Sequence, residues 1–176
     1  MGERVIVMII VRPEKPEDIA AIHHVVHHAF ERAAEADLVD ALRRNGEAAI
    51  SLVAEDNGRV VGHILFSPLV IETSEGKRHG IGLAPLAVWP ERQNEGIGSM
   101  LVRQGLIECR NAGYPFAVVL GHPEYYPRFG FVPASRFGIR SEFDVRDEVF
   151  MALELVEGAL GACAGVVKYS TEFNAV

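Results

Sequence analysis

The chain has 176 residues, 49% of them hydrophobic and 23% charged, enough for one domain with its own core. A formal net charge of −7 argues against a nucleic-acid partner, because phosphate binding rests on clustered Lys and Arg, while it suits a cationic one. Cys109 and Cys163 have no CxxC partner, so no zinc or redox motif is visible, and no apolar run reaches transmembrane length.

The N-terminal "MGERVIVMIIV" places Glu3 before a short apolar run and has no small-residue cleavage site after it. It reads as a strand over Val5–Arg12 ended by Pro13, not as a signal peptide, and a cytoplasmic location is expected. Pro16 suits the first turn of a helix, with Glu17 and Asp18 favoured by its dipole. Ile19, Ile22, Val26, Ala29 and Phe30 then recur at helical spacing. A second helix is expected over Ala34–Asn45, with Leu38, Ala41 and Leu42 inward and Gly46 at its end.

"AISLVAEDNGRVVGHILFS" predicts two strands around Asn57-Gly58, a pair that accepts positive φ at both turn positions. A further turn at Thr73–Lys77 leads to a strand from near His79 to Val88, completing an antiparallel meander. A long helix opens at Gly96 and ends at Gly113, with Gly98, Leu101, Val102, Gly105, Leu106 and Cys109 on the face toward the sheet. Phe116–Leu120 is a buried strand, so a right-handed parallel crossover joins it to the meander. A short helix near Tyr125 and strands near Val149–Leu155 and Gly165–Tyr169 follow, and "EGALGACAG" reads as a loop. There is no repeat, low-complexity stretch or linker, so a single domain is expected over 1–176.

In "PERQNEGIGSML", Gly96 and Gly98 stand at the helix start, where each glycine costs roughly 0.5–1 kcal/mol against alanine. Close packing on the sheet is one reason to keep them. The other is an anion site: a helix N-terminus offers free N–H groups, and glycine lets a phosphate approach them. A Walker A loop is excluded, since no GxxxxGK[ST] occurs. Leu101 replaces the third glycine of a dinucleotide fingerprint, and the strands leading in are antiparallel.

"LAPLAVWPERQNEGIGSMLVRQGLIECRNAGY" followed by "VVLGHPEYYPRFGFVPA" resembles the GNAT superfamily of acetyl-CoA-dependent N-acetyltransferases, and within it the small bacterial members. Gln93, Gly96 and Gly98 fit the family's pyrophosphate signature, and Tyr126, Gly130 and Phe131 fit its Tyr-x3-Gly-Phe signature. The resemblance implies an α/β fold with a mixed, mostly antiparallel central sheet, a splayed parallel strand pair and helices on both faces. It implies that Leu86, Ala87 and Val88 pair with the pantetheine arm. Backbone N–H groups of Gln93, Asn94, Glu95, Gly96, Ile97, Gly98 and Ser99 would hold the pyrophosphate. An amine would attack the thioester directly, with Tyr126 as general acid.

The resemblance further implies acetyl-CoA as co-substrate with no metal, and a small-molecule or protein amine as acceptor. Neither nucleic acid nor membrane is expected, and a homodimer is an option, since dimers are common in the family. Some positions depart from its pattern. Glu95 stands where a basic residue is common, so it should repel phosphate. Asn94 replaces a glycine. "GIGLAPLAV" carries no counterpart of the strand carboxylate that relatives use as a base. A non-catalytic acyl-CoA-binding or sensing module is the alternative this raises.

His122, just past the Phe116–Leu120 strand, is placed to face the acetyl group, as a base or as an ordinary loop residue. "HHVVHH", His23–His28, offers i, i+4 pairs that suit a metal, but only Glu31 is an easy third ligand. A metal-binding protein is therefore the weaker reading, and a place beside the acceptor pocket is another. Trp89 is expected to pack.

Overall fold

Asn57 and Gly58 take φ of 49° and 80°, the conformation a tight hairpin requires, and turn the chain between strands β2 (Ile50–Asp56) and β3 (Arg59–Thr73). A second hairpin joins β3 to β4 (Gly76–Val88). This computed structural model describes residues 8–176; the part of the expected first strand at residues 5–7 lies outside them. Within them the chain begins with β1 (Ile9–Pro13), then α1 (Ile19–Phe30) and α2 (Ala34–Arg44), both before β2. After β4 come α3 (Ile97–Asn111), β5 (Phe116–Leu120), β6 (Val132–Pro133), β7 (Ile139–Ser141), β8 (Phe150–Glu154) and β9 (Gly165–Lys168).

The strands form one nine-stranded sheet in the order β1-β2-β3-β4-β5-β8-β6, with β9 paired to both β3 and β7. Pairing is antiparallel except between β4 and β5 and between β7 and β9. The crossover through α3 accounts for the first exception: two parallel neighbours need a connection long enough to return the chain to the same end.

Side chains alternate across the sheet and build a core on each face. Ile64 and Phe66 of β3 join the cluster under α3, with Leu101, Val102, Leu106 and Cys109. Leu65, between them, joins Ile22, Val26, Leu38 and Leu42 under α1 and α2. Fully burying each such side chain is worth about 1.5–3 kcal/mol. A third cluster fills the β5, β8 and β9 end.

Gly105 faces the sheet as expected: a Cβ there would lie 2.4 Å from the Phe66 ring. Gly98 does not. Its nearest neighbour is the Tyr125 hydroxyl, 3.1 Å from a Cβ placed there, and Leu86, Val88, Gly98 and Tyr125 line a cleft together. The short helix near Tyr125 is a 3-10 turn, Tyr126–Phe129, stopped by Gly130 at φ 98°. The strands β6 and β7 have no counterpart in the sequence reading, because each is too short to show a period.

Candidate active site

β4 and β5 are paired only from Ile81, Gly82 and Leu83 to Ala117, Val118 and Val119. Beyond Leu83 they part. Ile64 of β3 faces Leu86 and Phe66 faces Leu83, so β4 carries one extra residue around Ala84-Pro85. That bulge bends the strand, and Pro85 has no N–H to give a ladder. The gap opens a cleft of about 1130 Å³. Leu86 and Val88 line it, whereas the Ala87 side chain points to the opposite face, into the α1–α2 cluster.

At one end of the cleft lies the turn into α3. Asn94 takes φ of 66° and Gly96, the N-cap, takes 84°. No side chain caps the helix, so its first N–H groups stay open toward the cleft, where Gln93, Asn94, Gly96, Ile97, Gly98 and Ser99 line the wall. Gln93 Nε2 donates to the Val88 carbonyl at 3.2 Å and ties the turn to β4. Glu95 is turned aside. Its carboxylate accepts from Arg92 Nε at 2.8 Å, and Arg92 also donates to Asp56 at 2.8 Å. The phosphate repulsion expected of Glu95 is therefore largely neutralised, and its side chain does not line the cleft.

The middle of the cleft belongs to the residues after β5. Tyr126 is buried against Gly121, where a Cβ would come within 2.3 Å of its ring, and against Phe131 at 5.8 Å. Burial pushes its hydroxyl well above the ordinary phenol range, with a smaller contribution from Tyr125, so it stays protonated. Tyr125 shares a hydrogen bond with Ser99 Oγ at 3.2 Å and locks this turn to α3. His122 is exposed and also lines the cleft. Tyr126, His122 and the α3 turn are thus brought to one cavity.

The far end was not anticipated. Glu35 of α2 lines it and is only 7% exposed. Its carboxylate accepts from Arg32 Nε at 3.0 Å and also from Arg32 Nη2. Phe143, Tyr169 and Phe173 line the same cleft: Phe143 stacks on Tyr169 with ring centroids 5.5 Å apart, and Phe173 is tilted against Tyr169 at 5.2 Å. Burial raises the Tyr169 hydroxyl above its ordinary range. One signal for Glu35 existed: it sits on the inward stripe of its helix, at i, i+3 and i+7 with Leu38 and Leu42. The aromatics come from the C-terminal third, whose folding back could not be read.

The histidine cluster does not line this cleft, which corrects the expectation that it borders the acceptor pocket. His24 and His28 pack on Trp89, with centroids 5.2 and 4.8 Å apart, so Trp89 packs as expected. His23 Nδ1 pairs with Asp40 at 2.7 Å. His23, Asp37 and Asp40 group their ligand atoms within 4.8 Å, but Asp40 is already shared between His23 and Arg43.

A sheet whose central parallel pair splays beside a glycine-rich helix start is the architecture of an acetyltransferase. Residues 10–134 match the acetyltransferase (GNAT) domain. The chain is 35% identical over 166 residues to the uncharacterized N-acetyltransferase YhbS of Escherichia coli (strain K12), covering 94% of this chain and 98% of that one. The structure of YhbS from Escherichia coli in complex with CoA superposes with a TM-score of 0.92 at 33% identity, over 99% of this chain and 96% of that one. A GNAT family acetyltransferase from Brucella melitensis in complex with acetyl-CoA gives 0.79 at 36% identity, over 94% and 98%. The chain therefore belongs to the GNAT family of N-acetyltransferases, enzymes that take acetyl-CoA as co-substrate. No helix among the described residues is long and apolar enough to cross a membrane.

Proposed function

We propose that this chain acts as one N-acetyltransferase domain. It binds acetyl-CoA in the cleft between β4 and β5 and transfers the acetyl group directly to the amine of a small molecule or protein. The observation that carries this reading is the meeting, in one cavity, of an unpaired β4 edge, an uncapped helix start and a protonated tyrosine. The pyrophosphate lies against the N–H groups of the Gln93–Ser99 turn, and the pantetheine arm follows β4 past Leu86 and Val88. β4 carries no carboxylate from Gly80 to Val88, so His122 takes the proton of the incoming ammonium. The amine nitrogen forms a bond to the thioester carbon, and the tetrahedral intermediate breaks its carbon–sulfur bond. Tyr126 gives its proton to the departing sulfur and regains one from the nitrogen, which sheds its extra proton as the amide forms.

Binding is tested by thermal unfolding. Acetyl-CoA at about a hundred times its Kd stabilises by about 2.7 kcal/mol, a rise of about 5–10 °C in Tm for a chain of this size. Gly96→Val removes the rise. Its φ of 84° strains a β-branched residue, but no atom lies within 4 Å of the added Cβ, so the cost is local to this turn and no core contact is lost. A variant that binds as tightly as wild type puts the site elsewhere. Binding without thiol release across an amine panel moves the reading to a non-catalytic acyl-CoA module.

A further inference from the structure

We infer that the far end of the cleft selects a singly charged amine carried on an apolar or aromatic group, and that Glu35 receives its ammonium before the nitrogen reaches the thioester. This rests on the acetyltransfer reading and supplies the acceptor class that it leaves open.

Among the described residues, Glu35 is the only acidic side chain lining the cleft. Its side chain is 10% exposed, while that of its partner Arg32 is 61% exposed. The pair is lopsided: the acid is fixed inside and the guanidinium sits in water. An ammonium entering the cleft takes the place of Arg32 on the carboxylate. Arg32 returns to solvent, where its guanidinium is already mostly exposed, and the carboxylate exchanges one cation for another. The buried acid is never left unpaired, which would be the expensive outcome.

The aromatic part of the lining decides what the ammonium is attached to. The rings of Phe143, Tyr169 and Phe173 offer apolar contact and aromatic surface. A polyamine or an aminocyclitol brings several cations. Here one finds Glu35, and the others are stripped of water against aromatic walls with no acid to meet them. An acceptor bearing its own carboxylate meets a worse site, because Arg32, the base beside Glu35 in the lining, is already paired to that acid. The local chemistry therefore favours an arylalkylamine or a similar apolar monoamine.

The test uses 2-phenylethylamine and spermidine, titrated calorimetrically into protein saturated with CoA, which forms a complex that cannot turn over. Acetyl-CoA is titrated separately into the free protein. Wild type is expected to bind 2-phenylethylamine at least tenfold more tightly than spermidine. Glu35→Gln keeps the size of the side chain and removes its charge, so it should weaken 2-phenylethylamine at least tenfold and leave acetyl-CoA unchanged. Phe143→Ala, in the aromatic lining, should weaken 2-phenylethylamine more than methylamine and serves if the Gln variant does not fold. Unaltered affinity in these variants, absence of 2-phenylethylamine binding, or preference for spermidine would overturn the inference while acetyl-CoA still binds. Failure of wild type to bind acetyl-CoA would overturn both this inference and the acetyltransfer reading.

Discussion

Tyr126 has to satisfy two demands at once: hold a proton through neutral pH and give it up to a sulfur. Burial meets the first by raising its hydroxyl above the ordinary phenol range. The second needs contact, because a thiol with a pKa of about 8.5 does not draw a proton from a weaker acid across solvent. Packing against Gly121, Phe129 and Phe131 fixes the ring. Tyr126→Phe preserves that packing and removes only the hydroxyl. Positioned proton transfer is typically worth ~10²–10⁴ in rate. The variant should therefore lose kcat by that order, with the acetyl-CoA dissociation constant nearly unchanged, the pattern of an interaction made in the transition state. Turnover near the wild-type rate between neutral and alkaline pH would remove Tyr126 from the mechanism.

At the scale of elements, the two glycines inside α3 do different work, and substitution separates them. Gly98 lines the cleft, whereas Gly105 is pressed on Phe66, which is fully buried. Gly105→Ala gains about 1 kcal/mol of helix propensity. Against this, the new Cβ falls 2.4 Å from a ring with no room to retreat, and overpacking a core costs about 1–3 kcal/mol. The second effect wins, so urea denaturation should show a net loss of up to about 2 kcal/mol with acetyl-CoA binding intact; a gain would mean that the ring yields. Much of this level was legible in the sequence. α1, α2, the β2–β3 hairpin and α3 announce themselves through local spacing and turn residues, and so does the phosphate turn with Gln93, Gly96 and Gly98. What was hidden depends on contacts distant along the chain. Glu95 looked like a bare charge until Arg92 and Asp56 closed on it, and Glu35 acquires its neighbours only when residues 143–173 fold back across α2.

Across the whole molecule, a chain of polar groups ties the end of β1 to β2, β3 and both N-terminal helices. His63 of β3, fully buried on the α1–α2 face, donates from Nε2 to Ser51 Oγ at 2.8 Å. Ser51 donates in turn to Glu14 Oε1 at 2.6 Å. Glu14 accepts two bonds from Arg43, at 2.7 and 2.8 Å, and Arg43 reaches Asp40, the partner of His23. Burial alone would raise the Glu14 carboxyl, but the bonds from Arg43 and Ser51 hold it below the ordinary range. His63 Nδ1 has no partner, which is tolerable only while it carries no proton. Burial accordingly pushes the His63 imidazole down to about 4; Glu14 opposes this and Arg43 reinforces it. In the unfolded chain the same ring titrates near its ordinary value of about 6.5. Between those values the unfolded state binds a proton that the folded state refuses, so stability is complete above pH 6.5 and falls as the pH drops toward 4. The loss attributable to this one ring reaches on the order of 2–3 kcal/mol by pH 4.5. His63→Leu removes the titration and leaves Ser51 bonded to Glu14. Urea midpoints measured from pH 7 to pH 4.5 should therefore fall more steeply for wild type than for the variant, by that amount in unfolding free energy. Parallel pH profiles for the two proteins would mean that His63 is protonated inside the fold and that the buried network accommodates the charge.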